Sequence, residues 1–458
     1  MNVFKKITLL ALTCFVVTGC FNDDLDDNVV LASEINDYIW KGLNLAYLYK
    51  DEVPDLANDR FSTDEEYGDF LNSFDSPESI FNNLLTQETT NGIQNDRFSI
   101  IVSDFIALEQ LFDGVTRRNG IEFNLYRNPN NTTEVFGVVR LVLPNSEASA
   151  TSIKRGDIFT EVDGVGLNET NFSELLSPDS YTLGLATYND NGTESTSDDT
   201  IELNGESISL SKQPYTENPV FITEVLEIDG QNIGYLMYNG FTADFNSQLN
   251  AAFGQLAGVD HLVLDLRYNP GGSVNTSILL SSMITGQFTG DVFSTEEWNS
   301  DLQAAFEEEN PEALINRFTN NDDGAPLNSL NLSEVYIITT QSSASASELV
   351  ISALLPYINV KQVGDTTSGK FQASITLYDS DDFGRQGANP GHTYAMQPLV
   401  LKSVNANGLT DYFEGLSPDP ELQLLEDFRN FGILGDVNEP LLALALSCLL
   451  YTSPSPRD

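Results

Sequence analysis

The chain has 458 residues, enough for more than one hydrophobic core, with 21 Lys and Arg against 68 Asp and Glu and a formal net charge of −47. A surface this acidic repels nucleic acid and anionic membrane, so both are excluded as partners held by charge. Cysteine occurs only at positions 14, 20 and 448, which excludes a disulfide framework and leaves core burial to stabilise the body.

In chain order, Met1–Lys6 carries Lys5 and Lys6, and an apolar run follows over 7–17. This is the pattern of a secretory leader, too short to span a bilayer as an anchor. Val17-Thr-Gly-Cys20 resembles the lipobox of bacterial lipoproteins, which implies a leader over 1–19 and lipidation at Cys20. Residues 20–33, with FNDDLDD at 21–27, read as an acidic tether. Attachment to membrane is expected through the lipid alone, in the envelope of a Gram-negative bacterium, on either face of its outer membrane.

Residues 34–114 read as a helical region. Apolar positions recur at helical spacing from Ile35 to Leu48, and Ser76-Pro77 predicts an N-cap followed by proline at the first helical position. Trp40, Tyr47 and Phe81 are expected core anchors. Residues 115–212 change to short strands near 120–126, 135–142 and 157–164, with a short helix expected over 146–155. The Asp/Asn-rich segment 188–200 reads as a surface loop without the ordered spacing of a calcium site.

From 213 to 440 strands alternate with helices, the pattern of an α/β domain. Strands are predicted at 220–228, 233–238, 261–266 and 335–340, and helices at 245–256 and 345–355. The last twelve residues, 447–458, change abruptly to an apolar and then Ser/Pro-rich composition and read as non-native sequence.

Two residues stand out for chemistry. Ser345 begins a predicted helix, where exposed amides and the helix dipole favour a developing oxyanion. Ser345-Ala-Ser-Glu348 equally fits a capping box, and Ser342, Ser343 and Ser347 compete as nucleophiles. A serine hydroxyl needs a base. His261 and His392, the only two histidines, lie in no recognisable triad. Lys370 is one of just nine lysines, set between Gly369 and Phe371, where burial would push its ammonium towards the neutral form.

Ser343-Ala-Ser-Ala-Ser-Glu348, Val363-Gly-Asp-Thr-Thr-Ser-Gly-Lys370 and Asp265-Leu-Arg-Tyr-Asn-Pro-Gly-Gly272 together resemble the motifs of the tail-specific, or C-terminal processing, serine peptidases. The resemblance implies an α/β peptidase domain of ClpP/crotonase-like ββα units, with Ser345 as nucleophile and Lys370 as general base. The amide of Ala346 would form the oxyanion hole with that of Gly271 or Gly272. Many such enzymes carry a glutamine four residues after the lysine. Here that position is Ser374, so either Ser374 or Gln372 orients the base, or the dyad acts without a third member. Asn145–Gly164 and Asn119–Phe123 resemble a PDZ domain, which implies that Gly120, Ile121, Glu122 and Phe123 hold a peptide C-terminus, with Arg117 and Arg118 attracting its carboxylate. Asp96-Arg-Phe-Ser99 resembles the N-terminal regions of similar exported peptidases. The expected substrates are polypeptides, with no cofactor and no metal. A peptide-binding lipoprotein without turnover is the alternative expectation.

Overall fold

The computed structural model describes residues 34–193 and 195–452. The leader, Cys20 and the acidic tether lie outside the described residues, as do residues 453–458.

The N-terminal region is built from helices Glu34–Ala46, Asp64–Asn72, Pro77–Asn83 and Phe105–Phe112. The first buries Tyr38, Ile39, Leu43 and Ala46, a stripe at helical spacing. Ser76 caps the third with a full capping box to Ser79, and Pro77 sits at its first position. Tyr47 and Phe81 are buried, in a core that also takes Trp298, Leu302, Phe306, Met396 and Val400 from the second half of the chain. This region is therefore packed into the α/β body. It also contributes strand Ile100–Val102, which pairs with Ala395–Gln397.

Residues 121–211 form an antiparallel sheet, in the order 200–211, 180–189, 158–162, 131–142 and 121–128, around Val139, Phe159, Val162 and Leu183. The strand pair Val115–Arg118 and Gln213–Thr216 joins this β module to the rest. The helix expected over 146–155 is only a 3-10 turn, Ala148–Ala150. Ser146, Ser149 and Thr151 bond to nearby backbone there, the competition that keeps such residues out of helix interiors.

The α/β body centres on five strands in sequence order: β1 (Val220–Ile228), β2 (Gln231–Tyr238), β3 (His261–Asp265), β4 (Glu334–Thr339) and β5 (Asn359–Gly364). β1 and β2 form a hairpin through Asp229-Gly230, and β2 to β5 run parallel. The crossovers carry helices α1 (Asn246–Gln255), α2 (Val274–Thr285) and α3 (Ala346–Leu354). One sheet face packs Leu236, Leu264 and Ile337 against Leu249, Leu280 and Val350 of these helices. The other packs Tyr235, Val263 and Ile338 against a last helix, α4 (Pro440–Thr452). Burial on both faces explains why β3 and β4 read as continuous apolar runs. α4 crosses the composition break at 447 without interruption, and Leu449 is buried. No described helix is long and apolar enough to cross a membrane.

Candidate active site

Ser345 stands where β4 hands over to α3, with φ 55° and ψ −112°, a backbone region that L-residues with side chains rarely occupy. The turn is held from below. Ser343 Oγ donates to Leu266 O at 2.8 Å, Ser347 Oγ donates to Asn269 O at 2.9 Å, and Thr340 Oγ1 donates to Arg267 O. Ser342 Oγ accepts from Arg140 at 3.1 Å. The three competing serines are thus tied to structure, whereas Ser345 lines a cleft of about 780 Å3 that Lys370 also lines. A cavity of about 900 Å3 on the β module, beside Tyr188 and Arg429, is also lined by Ser152 and Lys154, but Lys154 is exposed and pairs with Asp157 at 3.1 Å.

The loop after β3 reaches the same cleft. Gly271 (φ 102°) and Gly272 (φ 138°) both need glycine here. A Cβ on Gly271 would stand 2.7 Å from Ser345 Cβ and 2.9 Å from Ala346 N, so the glycine turn and the helix start are in direct apposition. Gly271 N–H already donates to Asn269 Oδ1 at 2.9 Å, and its carbonyl accepts from Phe241. Of the two glycine amides, that of Gly272 is the one not already spent.

Glu348 is the site residue whose reach the sequence did not reveal. Its buried carboxylate accepts from Ser345 N (2.8 Å), Thr367 Oγ1 (2.6 Å), Gly369 N (2.7 Å) and Lys370 N (2.8 Å). One side chain therefore fixes both the serine turn and the lysine loop. Burial pushes its carboxyl above the usual range, and these four donors oppose the shift. The capping-box spacing was the signal, although it announced only the bond to Ser345.

Lys370 is held below its ordinary value by burial, against the carboxylates of Asp96 and Glu348, which act to raise it. Its Nζ lies 5.2 Å from the ring centroid of Phe98. Gln372 Nε2 donates to Tyr49 Oη at 2.7 Å and Asn95 O at 3.3 Å, and its buried Oε1 receives no hydrogen bond from Lys370. Ser374 lines the cleft. His392 pairs with Asp379 at 3.0 Å and does not line it.

On the β module, Gly120 (φ 96°) packs on Ser146, where a Cβ would come within 1.9 Å of Oγ. Ile121 N–H donates to Asn119 Oδ1 at 3.3 Å, Phe123 packs edge-on to Phe159, and strand 121–128 lies at the sheet edge. Arg117 and Arg118 are not a free basic pair. Arg117 pairs with Asp179, and Arg118 with Glu217 and Glu122, since acids outnumber bases throughout the chain.

Residues 232–384 match Peptidase family S41, and residues 34–100 match the Peptidase S41 N-terminal domain. Over these two segments the chain is similar to peptidase family S41, a family of serine-type peptidases. The carboxyl-terminal-processing protease of Picosynechococcus is 26% identical over 249 residues, covering 53% of this chain and 52% of that one. That of Synechocystis is 28% identical over 167 residues, 36% of this chain and 34% of that one. The chain thus spans about half the length of the first of these curated relatives and about a third of the second. A solved structure of a Bacteroides fragilis protein described as an S41 protease superposes with a TM-score of 0.68 at 24% identity, covering 91% of this chain and 97% of that one, which shows a shared fold.

Proposed function

We propose that this chain is an exported, lipid-anchored endopeptidase that cleaves polypeptides near their C-termini, with Ser345 as nucleophile and Lys370 as general base. The observation that carries the reading is the joint placement of Ser345, Lys370 and the 271–272 turn on one cleft, with Glu348 tying Ser345 to the Lys370 loop. The names of the curated relatives support the substrate class.

In this mechanism Ser345 Oγ attacks the scissile carbonyl while its proton passes to Lys370 Nζ. The amides of Ala346 and Gly272 take the charge that develops on the carbonyl oxygen, aided by the positive end of α3. The tetrahedral species collapses, the C–N bond breaks, and Lys370 returns the proton to the departing amine. Water then hydrolyses the acyl-serine, with Lys370 again as base. Neutral lysine is the working form at the start of the cycle, and burial favours it.

Residues 115–212 are assigned the role of a PDZ domain. The free edge of strand 121–128 would pair with an extended substrate terminus at Gly120, Ile121, Glu122 and Phe123. Residues 34–114 and 213–440 are the N-terminal region and the peptidase domain, and Cys20 is the site of lipidation.

The test is cleavage of an unstructured C-terminal tail by the full chain and by Ser345→Ala and Lys370→Ala. Cleavage is expected from the parent alone, with either substitution costing at least about 1,000-fold in kcat, the scale at which catalytic-group deletions act. A substituted enzyme that cleaves like the parent overturns the dyad.

A further inference from the structure

The structure brings a segment of the N-terminal region against the base. Asp96 Oδ1 accepts from Phe98 N at 3.0 Å and Ser99 N at 2.9 Å, and Asp96 Oδ2 accepts from Tyr47 Oη at 2.7 Å. Arg97 donates to the carbonyls of Ser368, Gly369 and Phe413 at 3.4, 3.1 and 3.1 Å, so it grips the loop that carries Lys370. Between these anchors the Phe98 ring meets Lys370 Nζ, within the range of cation–π attraction. From this geometry we propose that Phe98 and Asp96 are positioning residues for Lys370. They hold its protonated form over the Phe98 ring face, which Asp96 presents by bonding the backbone at Phe98 and Ser99, in place of a glutamine supplied from the lysine's own loop.

The inference rests on the dyad reading and says which part of the chain completes it. Residue 374, four positions after the lysine, is a serine, and Gln372 gives its amide nitrogen to Tyr49 and Asn95 while its Oε1 accepts nothing from Lys370. The charged groups that bear on Lys370 are Asp96 from the N-terminal region and Glu348 from α3, and Arg97, bonded to the loop carbonyls, also stands 4.9 Å from the Phe98 ring centroid. An ammonium forms at Nζ as Ser345 attacks and disappears as the amine departs. A ring face and a nearby carboxylate stabilise that ammonium without hydrating it. They keep the base strong enough to take the serine proton although burial weakens it.

The sign of a pH shift separates this role from simple packing. Phe98→Leu keeps the base covered but removes the ring face, and Asp96→Asn keeps an acceptor for Phe98 N and Ser99 N but removes the charge. Both changes disfavour the ammonium. Each is therefore expected to move the ascending limb of the pH profile for Ser345 acylation to lower pH, by roughly 0.5–1 unit for loss of one such contact. The plateau rate should fall roughly three- to tenfold as the base weakens. Loosened packing would instead hydrate Lys370 and move the limb to higher pH.

The measurement is the pH dependence of labelling by a fluorophosphonate probe, using the full chain and both variants. Phe98→Tyr restores the ring and should return the limb to the parent position. Limbs that stay put or move upward in both Phe98→Leu and Asp96→Asn overturn the proposal. A Lys370→Ala chain that labels like the parent shows instead that the underlying dyad is wrong, so the two failures are distinguishable.

Discussion

A serine with φ 55° and ψ −112° stores backbone strain of about 1–3 kcal/mol, which persists only where the surroundings over-determine it. Glu348 supplies much of that determination, because each carboxylate oxygen accepts from two donors. In Glu348→Gln the amide nitrogen would face donors it cannot accept from. Two buried donors would lose their partner, at about 1–3 kcal/mol each. The expected outcome is a protein that unfolds at lower denaturant concentration and is labelled at Ser345 far more slowly than the parent, read by urea titration and probe kinetics. Ser345 and Lys370 were legible as residues because each sits in a motif of distinctive spacing. The reach of Glu348 was not, since a capping box describes one helix end. Its bonds to Thr367, Gly369 and Lys370 depend on β5 lying parallel beside β4, a pairing that no local pattern encodes.

At the scale of elements, the site is a junction of two turns, one after β3 and one after β4, closed by the loop after β5. The strands were legible because burial on both faces leaves continuous apolar runs, and α3 because its start and its stop at Pro356 are both marked. Elements of the N-terminal region were less so. Strand Ile100–Val102 exists through its pairing with Ala395–Gln397, almost 300 residues away, and three residues carry too little pattern to announce it. The glycine turn can be tested as an element. Gly271→Ala would place a Cβ at φ 102°, 2.7 Å from Ala344 O and Ser345 Cβ, against the backbone and the proposed nucleophile. The two turns must then move apart. The variant is expected to retain its fold by circular dichroism and to lose labelling at Ser345 by at least about 100-fold, the cost of misplacing an oxyanion donor.

Over the whole molecule, the turn after β3 is anchored through charge to the last helix. Arg267 is fully buried. Burial opposes its charge, but Asp265 and Glu439 hold the guanidinium protonated, and Glu426 lies 3.1 Å away. Glu439 accepts at both oxygens, at 2.6 and 2.9 Å, and also receives Leu442 N at the start of α4. Glu439→Ala leaves the guanidinium under-compensated in the interior, at a cost of about 3–5 kcal/mol for a broken buried pair. Its chemical denaturation midpoint should fall accordingly, while a double change with Arg267→Met should recover part of the loss. A parent-like midpoint for the single variant would mean that Asp265 and Glu426 suffice.

The order in which a ribosome delivers these parts matters on the proposed peptidase reading. Asp96 and Phe98 precede Arg267 and Ser345 in the chain, and Glu439 follows all four. Until Glu439 emerges, Arg267 cannot settle, and the turn whose carbonyl receives Thr340 has no fixed floor. A nascent chain therefore carries Ser345, the proposed nucleophile, before it carries Glu439. A copy that has reached Ser345 but not the segment around Glu439 would hold that serine on a turn not yet anchored to α4.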